Sequence, residues 1–331
     1  MSKYNLVKRM SKYNLVKRIR ADERKIIENE NKINNLEKKF NSYKRYNEKI
    51  LKSYNEQFNM LFLFTDIEPK GLLKANHQLN LELLSFVDNI CKKYDLEFWL
   101  DYGALLGAIR HNGFIPWDDD VDMSMMRKDY DKFFEVLPKE IKDNNLDDNL
   151  SVRCNISEVK PVPCIQILYN KNVPGLLAGI DITAYDFMDK QIDLETYKKM
   201  QDEIRNKNMD GIPIYDAVKE YLEEYNIGYE KQKYVMPGAE GFYEVFSLYH
   251  FFMAEYDQLF PLKKATFEGR TFNVPNDYNY FLNKIYGEYL NVPRKIHTHY
   301  HRWESLRELE DGLEIYMEQV EKFKKINEEF K

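Results

Sequence analysis

Apolar and polar positions follow two different rhythms along this chain. From Ala21 to about Phe58 the sequence is charged and polar, and its apolar residues recur at Ile26, Ile33, Leu36, Phe40, Tyr43, Ile50 and Tyr54. With Ile33 at heptad position a, Phe40 and Tyr54 are also a, Leu36, Tyr43 and Ile50 are d, and Asn47 is a polar a. One continuous helix over this stretch would run roughly 55 Å and is too polar to bury alone. The pattern predicts a long helix over residues 21–62 that self-associates as a coiled coil, the other outcome being a solvated helix along its own body. Ahead of it, residues 1–9 and 10–18 are the same nine letters, MSKYNLVKR. Two short copies make no architectural array, so residues 1–20 read as a duplicated start, disordered or extending the helix, with Met10 as a second candidate initiator.

Pro69 and Gly71 end the heptads, and shorter elements follow. "LKANHQLNLELLSFVDNICKKYDL" (73–96) has helical period, "EFWLDYG" (97–103) reads as a buried strand ending at a glycine, and "ALLGAIR" (104–110) as a helix. "VDMSM" (121–125) alternates like a strand, and "DYDKFFEVLP" (129–138) reads as a helix closed by proline. "CIQILY" (164–169) and "GIDITAYDF" (179–187) supply further strands, and residues 191–255 look mainly helical, with breaks at Gly211, Pro213 and Pro237-Gly238. "FEGRTFNVP" (267–275) predicts a hairpin turning at Gly269, and the tail, 306–331, a charged helix. The order predicts an α+β domain over residues 70–305, a mixed sheet flanked by helices.

Composition narrows the function classes. The 331 residues carry 49 basic and 55 acidic side chains, a net charge of -6, so no general basic field holds a nucleic-acid backbone. Cys91, Cys154 and Cys164 form neither a disulfide framework nor a CxxC pair. With no apolar leader region and no membrane-length apolar window, the expected location is cytoplasmic. The basic start, from Lys3 to Arg20, keeps peripheral contact with the inner membrane face as a secondary expectation beside a solvated tail.

The candidate chemistry lies in "GFIPWDDDVDMSM" (113–125). If the strand alternates from Asp120, then Asp120, Asp122 and Ser124 share one face while Val121, Met123 and Met125 enter the core. Two carboxylates about 6–7 Å apart at Cα repel unless a cation sits between them, and hard oxygen ligands suit Mg²⁺ or Mn²⁺. Asp118 is a nearby third carboxylate, and Asp119 is expected to face elsewhere. The bland alternative is a solvated acidic turn. Upstream, Gly103 after a strand would allow a tight turn whose new helix aims free N–H groups at a phosphate. Arg110 would neutralise phosphate charge or form a helix-end ion pair. Asp181, between Ile180 and Ile182, is costly to bury without a partner and is the candidate further ligand or base. Asp186 and Asp189 read as ordinary loop residues. "HTHYH" (297–301) has no matching Cys or His cluster for zinc.

These residues resemble a known family. "FWLDYGALLGAIRHNGFIPWDDDVDMSM" (98–125) is similar to the signature of the LicD family, whose relatives include fukutin. "FPLKKATFEGRTFNVPNDYNYFLNKIYGEYLNVP" (260–293) resembles its second block, and the likeness extends over residues 70–303. The resemblance implies a nucleotidyltransferase-like fold that transfers a phospho-alcohol from a CDP-linked donor, CDP-choline foremost and CDP-ribitol in fukutin relatives, to a sugar hydroxyl with release of CMP. The acceptor would be a cell-surface glycan, such as lipopolysaccharide or teichoic acid, or its lipid-linked precursor. The family pattern of a glycine turn and acidic strand residues falls on Gly103, Asp118, Asp120 and Asp122, with Asp181 as the third acidic position, and implies Mg²⁺ held by Asp120 and Asp122, with Asp181 completing the metal shell or taking the acceptor proton; Arg110 and Trp117 are the further candidates toward the donor. A choline head would need an aromatic cage, for which Trp99, Tyr102 and Trp117 are at hand; core packing explains Trp99 equally well. Arg270 and Lys284 are further phosphate or acceptor candidates, and residues 191–255, which match least, would shape acceptor choice. Two other readings stay open: nucleotidyl transfer from a nucleoside triphosphate with release of pyrophosphate, and a non-catalytic coiled-coil assembly protein.

Overall fold

The computed structural model describes residues 3–64, 68–157, 160–168, 177–240, 251–291 and 312–330. The chain divides into two compact units, one built on the N-terminal helix and the other holding residues 67–291 and the C-terminal helix. The first unit is helix α1 (Lys3–Phe64), 62 residues long, which runs unbroken through the duplicated segment and the heptads. It contains neither Gly nor Pro, so nothing in its backbone chemistry ends it.

The second unit is a mixed sheet with helices against it. Helix α2 (Leu72–Tyr94) buries Leu79, Leu83, Phe86, Val87 and Ile90 and ends at Asp95, whose φ of 55° is a left-handed cap. Strand β1 (Trp99–Leu100) is only two residues long and leads into α3 (Tyr102–His111). β2 (Val121–Met126), α4 (Arg127–Asp143), β3 (Leu150–Ser157), β4 (Lys160–Leu168) and β5 (Leu177–Met188) follow. Then come α5 (Leu194–Met209), α6 (Ile214–Glu224), β6 (Tyr234–Pro237), β7 (Ala254–Glu255) and the short α7 (Tyr256–Leu259). A hairpin of β8 (Lys263–Phe267) and β9 (Arg270–Val274) precedes α8 (Tyr278–Tyr286) and the C-terminal α9 (Gly312–Glu329). No helix among the described residues is long and apolar enough to cross a membrane.

The long central strand β5 organises the sheet. Residues 180–185 run parallel to β2, residues 177–181 pair antiparallel with β4, and residues 185–188 pair antiparallel with β6. β1 and β3 continue the sheet beyond β2 and β4. Val121, Met123, Ile180 and Ile182 are fully buried, so one face of the β2–β5 pair is core.

Several expectations need correction. Pro138 does not close α4; it lies inside a helix that continues to Asp143, because Val136, Leu137 and Ile141 bury its apolar face and Glu140 accepts from Lys93 Nζ and from Tyr94 Oη at 2.6 Å. Among its described residues the stretch 191–255 holds two helices and then strands β6 and β7, the Gly211 and Pro213 breaks falling between the helices. Asp186 is no loop residue. It is fully buried in β5 and pairs with Arg127 at 2.8 and 3.1 Å, while Glu240 accepts from Arg127 Nη1. Tyr221 Oη also reaches Asp186 at 3.4 Å. The C-terminal helix is described from Gly312, and "HTHYH" lies outside the described residues.

A buried guanidinium between two carboxylates is stable only as a set, since removing the cation leaves two uncompensated charges. Arg127→Ala is therefore expected to lower unfolding free energy by about 3–5 kcal/mol, read as a fall in the urea midpoint.

Candidate functional site

The site begins with strand register. In the parallel β2–β5 pair Asp122 lies opposite Asp181, flanked by the Val121–Ile180 and Met123–Ile182 pairs. Side chains opposite one another in adjacent strands share a face, so both carboxylates project from the face that the buried isoleucines leave. Asp120 immediately precedes β2, and Asp118 N donates to Ile115 O at 2.9 Å to close the turn before it. Asp118, Asp119 and Asp120 each offer a carboxylate oxygen within 4.8 Å of the others. Asp119 thus departs from its expected outward direction: the turn curls its side chain back toward its neighbours.

The electrostatics match this crowding. Burial, then the charges of Asp120 and Asp119, push the Asp118 carboxyl well above the ordinary range. Burial, then Asp120, Asp181 and Asp118, do the same to Asp122, against the pull of the Gly103 N–H. The Tyr286 hydroxyl, at the end of α8, is also pushed up, first by burial and then by Asp122 and Asp118, although 40% of the residue remains exposed. Hard oxygen donors this close together fit a divalent cation of the Mg²⁺ or Mn²⁺ type, which would relieve the repulsion.

Gly103 is essential here for a different reason than a turn. The helix starts one residue earlier, at Tyr102, with Asp101 as N-cap accepting from Tyr102 N at 2.9 Å. Tyr102 itself takes the left-handed φ of 40°. Gly103 donates its N–H to Asp122 Oδ2 at 3.1 Å, and a Cβ there would stand 2.8 Å from Asp118 Oδ2 and 3.2 Å from Asp122 Oδ2. The N–H expected to point at phosphate thus holds a catalytic-candidate carboxylate. Asp101 joins helix to strand: its N–H donates to Asp122 O at 3.1 Å and Ser124 Oγ donates to its Oδ2 at 2.7 Å. Burial raises the Asp101 carboxyl to about 6.

A polar face of α2 grips the acidic turn from behind. Asn76 Nδ2 and Asn80 Nδ2 donate to Asp119 O at 2.7 and 3.0 Å, and His77 Nε2 donates to Asp118 O at 2.7 Å. Asn80 also accepts from Gly179 N at 2.9 Å, so one fully buried amide ties the turn to the strand that carries Asp181. His77 stacks on Phe114 at 4.2 Å. From the other side, Glu268 at the hairpin tip donates its N–H to Asn112 O at 2.9 Å and accepts from Phe114 N at 3.0 Å. Sequence reasoning missed Asn76, His77, Asn80, Asp101 and Tyr286. The first three had a signal, since polar residues spaced i, i+1, i+4 fall among the apolar positions of an otherwise amphipathic helix.

The remaining candidates are placed as follows. Arg110 sits at the C-terminal end of α3, donating to Tyr289 O at 2.8 Å and Asn291 O at 3.3 Å, and feels the charge of Asp118. Its Nε donates to His111 Nε2 at 2.9 Å; burial, then Arg110, lower the imidazole to about 4, so it is the neutral acceptor. Trp117 is half-buried against the core and meets His111 edge-on at 6.4 Å. Trp99 is fully buried and packs on Tyr185, as a core residue does. Arg270 is engaged by Glu82 and Ser85 of α2, and Lys284 lies over the Tyr280 ring at 5.3 Å.

Comparisons with known proteins fall on this same region. Residues 95–167 match the family model for the LicD/FKTN/FKRP nucleotidyltransferase domain, a span that includes Gly103 and the acidic turn and ends before Asp181. The lipopolysaccharide cholinephosphotransferase LicD of Haemophilus influenzae is 25% identical over 258 residues, 68% of this chain and 93% of that protein. The ribitol 5-phosphate transferase FKRP of Homo sapiens is 40% identical over 48 residues, 14% of this chain and 10% of its own length. An uncharacterized protein of Rickettsia typhi is 38% identical over 58 residues, 18% of this chain and 19% of its own.

Raised carboxyl pKa values cost the metal-free fold stability as pH rises. Asp118 and Asp122 hold protons in the folded state that they release in the unfolded one, so stability is greatest at acid pH and declines toward neutrality. Asp122→Asn keeps an acceptor for the Gly103 N–H and removes one charge. It is expected to stabilise the metal-free protein at neutral pH by about 1 kcal/mol or more, seen as a higher Tm and a flatter Tm-against-pH curve.

Proposed function

We propose, on the premise that residues 95–167 form a LicD-type nucleotidyltransferase domain, that this protein is a phosphotransferase acting on a glycan. It moves a phospho-alcohol, phosphocholine foremost, from a CDP-linked donor to a sugar hydroxyl and releases CMP. The observation that carries this reading is the gathering of Asp118, Asp119 and Asp120 beside the opposed pair Asp122 and Asp181. So much negative charge on one face is costly alone and suited to a substrate that brings a metal-diphosphate.

Asp120, Asp122 and Asp181, with Asp118 beside them, would hold the divalent cation. Mg²⁺ bound there supplies neutralisation of the donor diphosphate and of the leaving nucleotide. The protein's own part is positional. Gly103 fixes one Asp122 oxygen through its N–H, and the α2 clamp fixes the turn that carries Asp118 and Asp119. The acceptor oxygen forms its bond to the transferred phosphorus as the bond to CMP breaks, and the hydroxyl proton passes to a carboxylate of this cluster. Arg110, held by two backbone carbonyls within the field of Asp118, adds positive charge at the rim. Trp117 offers a half-buried ring near the turn for a quaternary ammonium.

Incubation of the full chain with Mg²⁺, a panel of CDP-alcohols and candidate glycans is expected to yield CMP, with CDP-choline the best donor. Asp120→Asn is expected to lower CMP release by at least about a hundredfold while its melting curve stays that of a folded protein. Near-normal turnover by that variant, or pyrophosphate release from CTP in place of CMP release, would sink the reading.

A further inference from the structure

The apolar positions of α1 form a seam of their own. Ile19, Ile26, Ile33 and Phe40 at a, with Leu36 and Tyr43 at d, are between 48% and 66% exposed. Ile19, Ile26 and Ile33 stand seven residues apart with the polar Asp22 and Asn29 at the d positions between them, and from Ile33 to Tyr43 the apolar residues recur every three to four, the whole spanning roughly 35 Å of helix. A single helix gains nothing from such a stripe, and the heptad period that repeats it is the period of two helices wound together.

The residues flanking the seam say what winds against it. Position e is Glu23, Glu30 and Glu37 in three successive heptads, and position g is Lys25, Lys32 and Lys39. In a parallel pair each g residue meets the e residue five positions on in the other helix. We propose that α1 is the dimerisation element of this protein, pairing with α1 of a second copy in a parallel, in-register, two-stranded coiled coil. That alignment sets Lys25 against Glu30 and Lys32 against Glu37 of the second copy, each pair formed twice. Arg18 and Glu23 add a third match one heptad earlier. An antiparallel pair brings e against e and g against g, which in full overlap of Lys3–Phe64 opposes Glu30 to Glu37 and Lys32 to Lys39 of the second copy, like charge against like. The parallel register instead sets Tyr46 against Leu51, apolar against apolar.

Two further features agree. Ile stands at three successive a positions and Leu36 at the d position that follows, a combination that favours two strands, while Asp22 and Asn29 at d and Asn47, a half-buried polar residue at a, fix the register at some cost in stability. Lys39 meets Lys44 of the second copy, the one like-charged pair of the series, next to that Asn47 layer. Lys32 bonds within its own helix to Glu28 at 2.7 Å, but both side chains are 65% exposed, and so open a pair yields readily to a partner across the seam.

This inference stands apart from the transferase reading, and its test reads mass and helicity only. Sedimentation equilibrium of the full chain at micromolar concentration is expected to give twice the 39.9 kDa chain mass. Glu30→Lys with Glu37→Lys should weaken the dimer by at least tenfold in Kd, and adding Lys25→Glu with Lys32→Glu in the same chain should restore it. Circular dichroism separates loss of pairing from loss of fold, because the four-fold variant must be as helical as the original. A monomer, a trimer or a tetramer from the unaltered chain would overturn the proposal, as would a four-fold variant that is helical yet stays monomeric.

Discussion

Repulsion among carboxylates governs the second unit. Asp118, Asp119, Asp120, Asp122 and Asp181 share one corner, and at the separations observed their charges cannot all be carried without help. The protein answers first by burial and proton retention, which lift the Asp118 and Asp122 carboxyls, and by the single N–H of Gly103. A divalent cation is the more complete answer, and the phosphotransferase reading follows from that chemistry.

What keeps the acidic turn in place is a set of hydrogen bonds to its backbone. The clamp from Asn76, His77 and Asn80 addresses the backbone carbonyls of Asp118 and Asp119 and not their carboxylates. Asn80 spans to Gly179, two residues before Asp181, so the two strands that supply the acids are set by a common side chain. Gly103 matters because backbone must come within a Cβ's reach of two carboxylates, and the left-handed strain falls on Tyr102 beside it.

Much of this was legible in the sequence because it follows local rules. The α2 period, the VDMSM alternation and the Gly269 hairpin each appear where pattern and turn chemistry put them. Asp181 was found because an acid between two isoleucines is an anomaly, and the register that sets it opposite Asp122 explains the anomaly. The failures are tertiary. Nothing local says that Asp186 meets Arg127 from another element, that a proline is tolerated inside α4 by the burial on its other face, or that an N-cap at Asp101 starts α3 early. Strand β6 exists because β5 is long enough to offer it an edge, and β7 pairs in turn with β6, a fact of the sheet and not of the residues in these short strands themselves.

Calorimetric titration of the full chain with Mg²⁺ tests most directly whether these carboxylates bind a divalent cation. The account predicts saturable binding by the unaltered protein and its loss in Asp120→Asn. Absence of binding by the unaltered protein, with and without CDP-choline present, would contradict it.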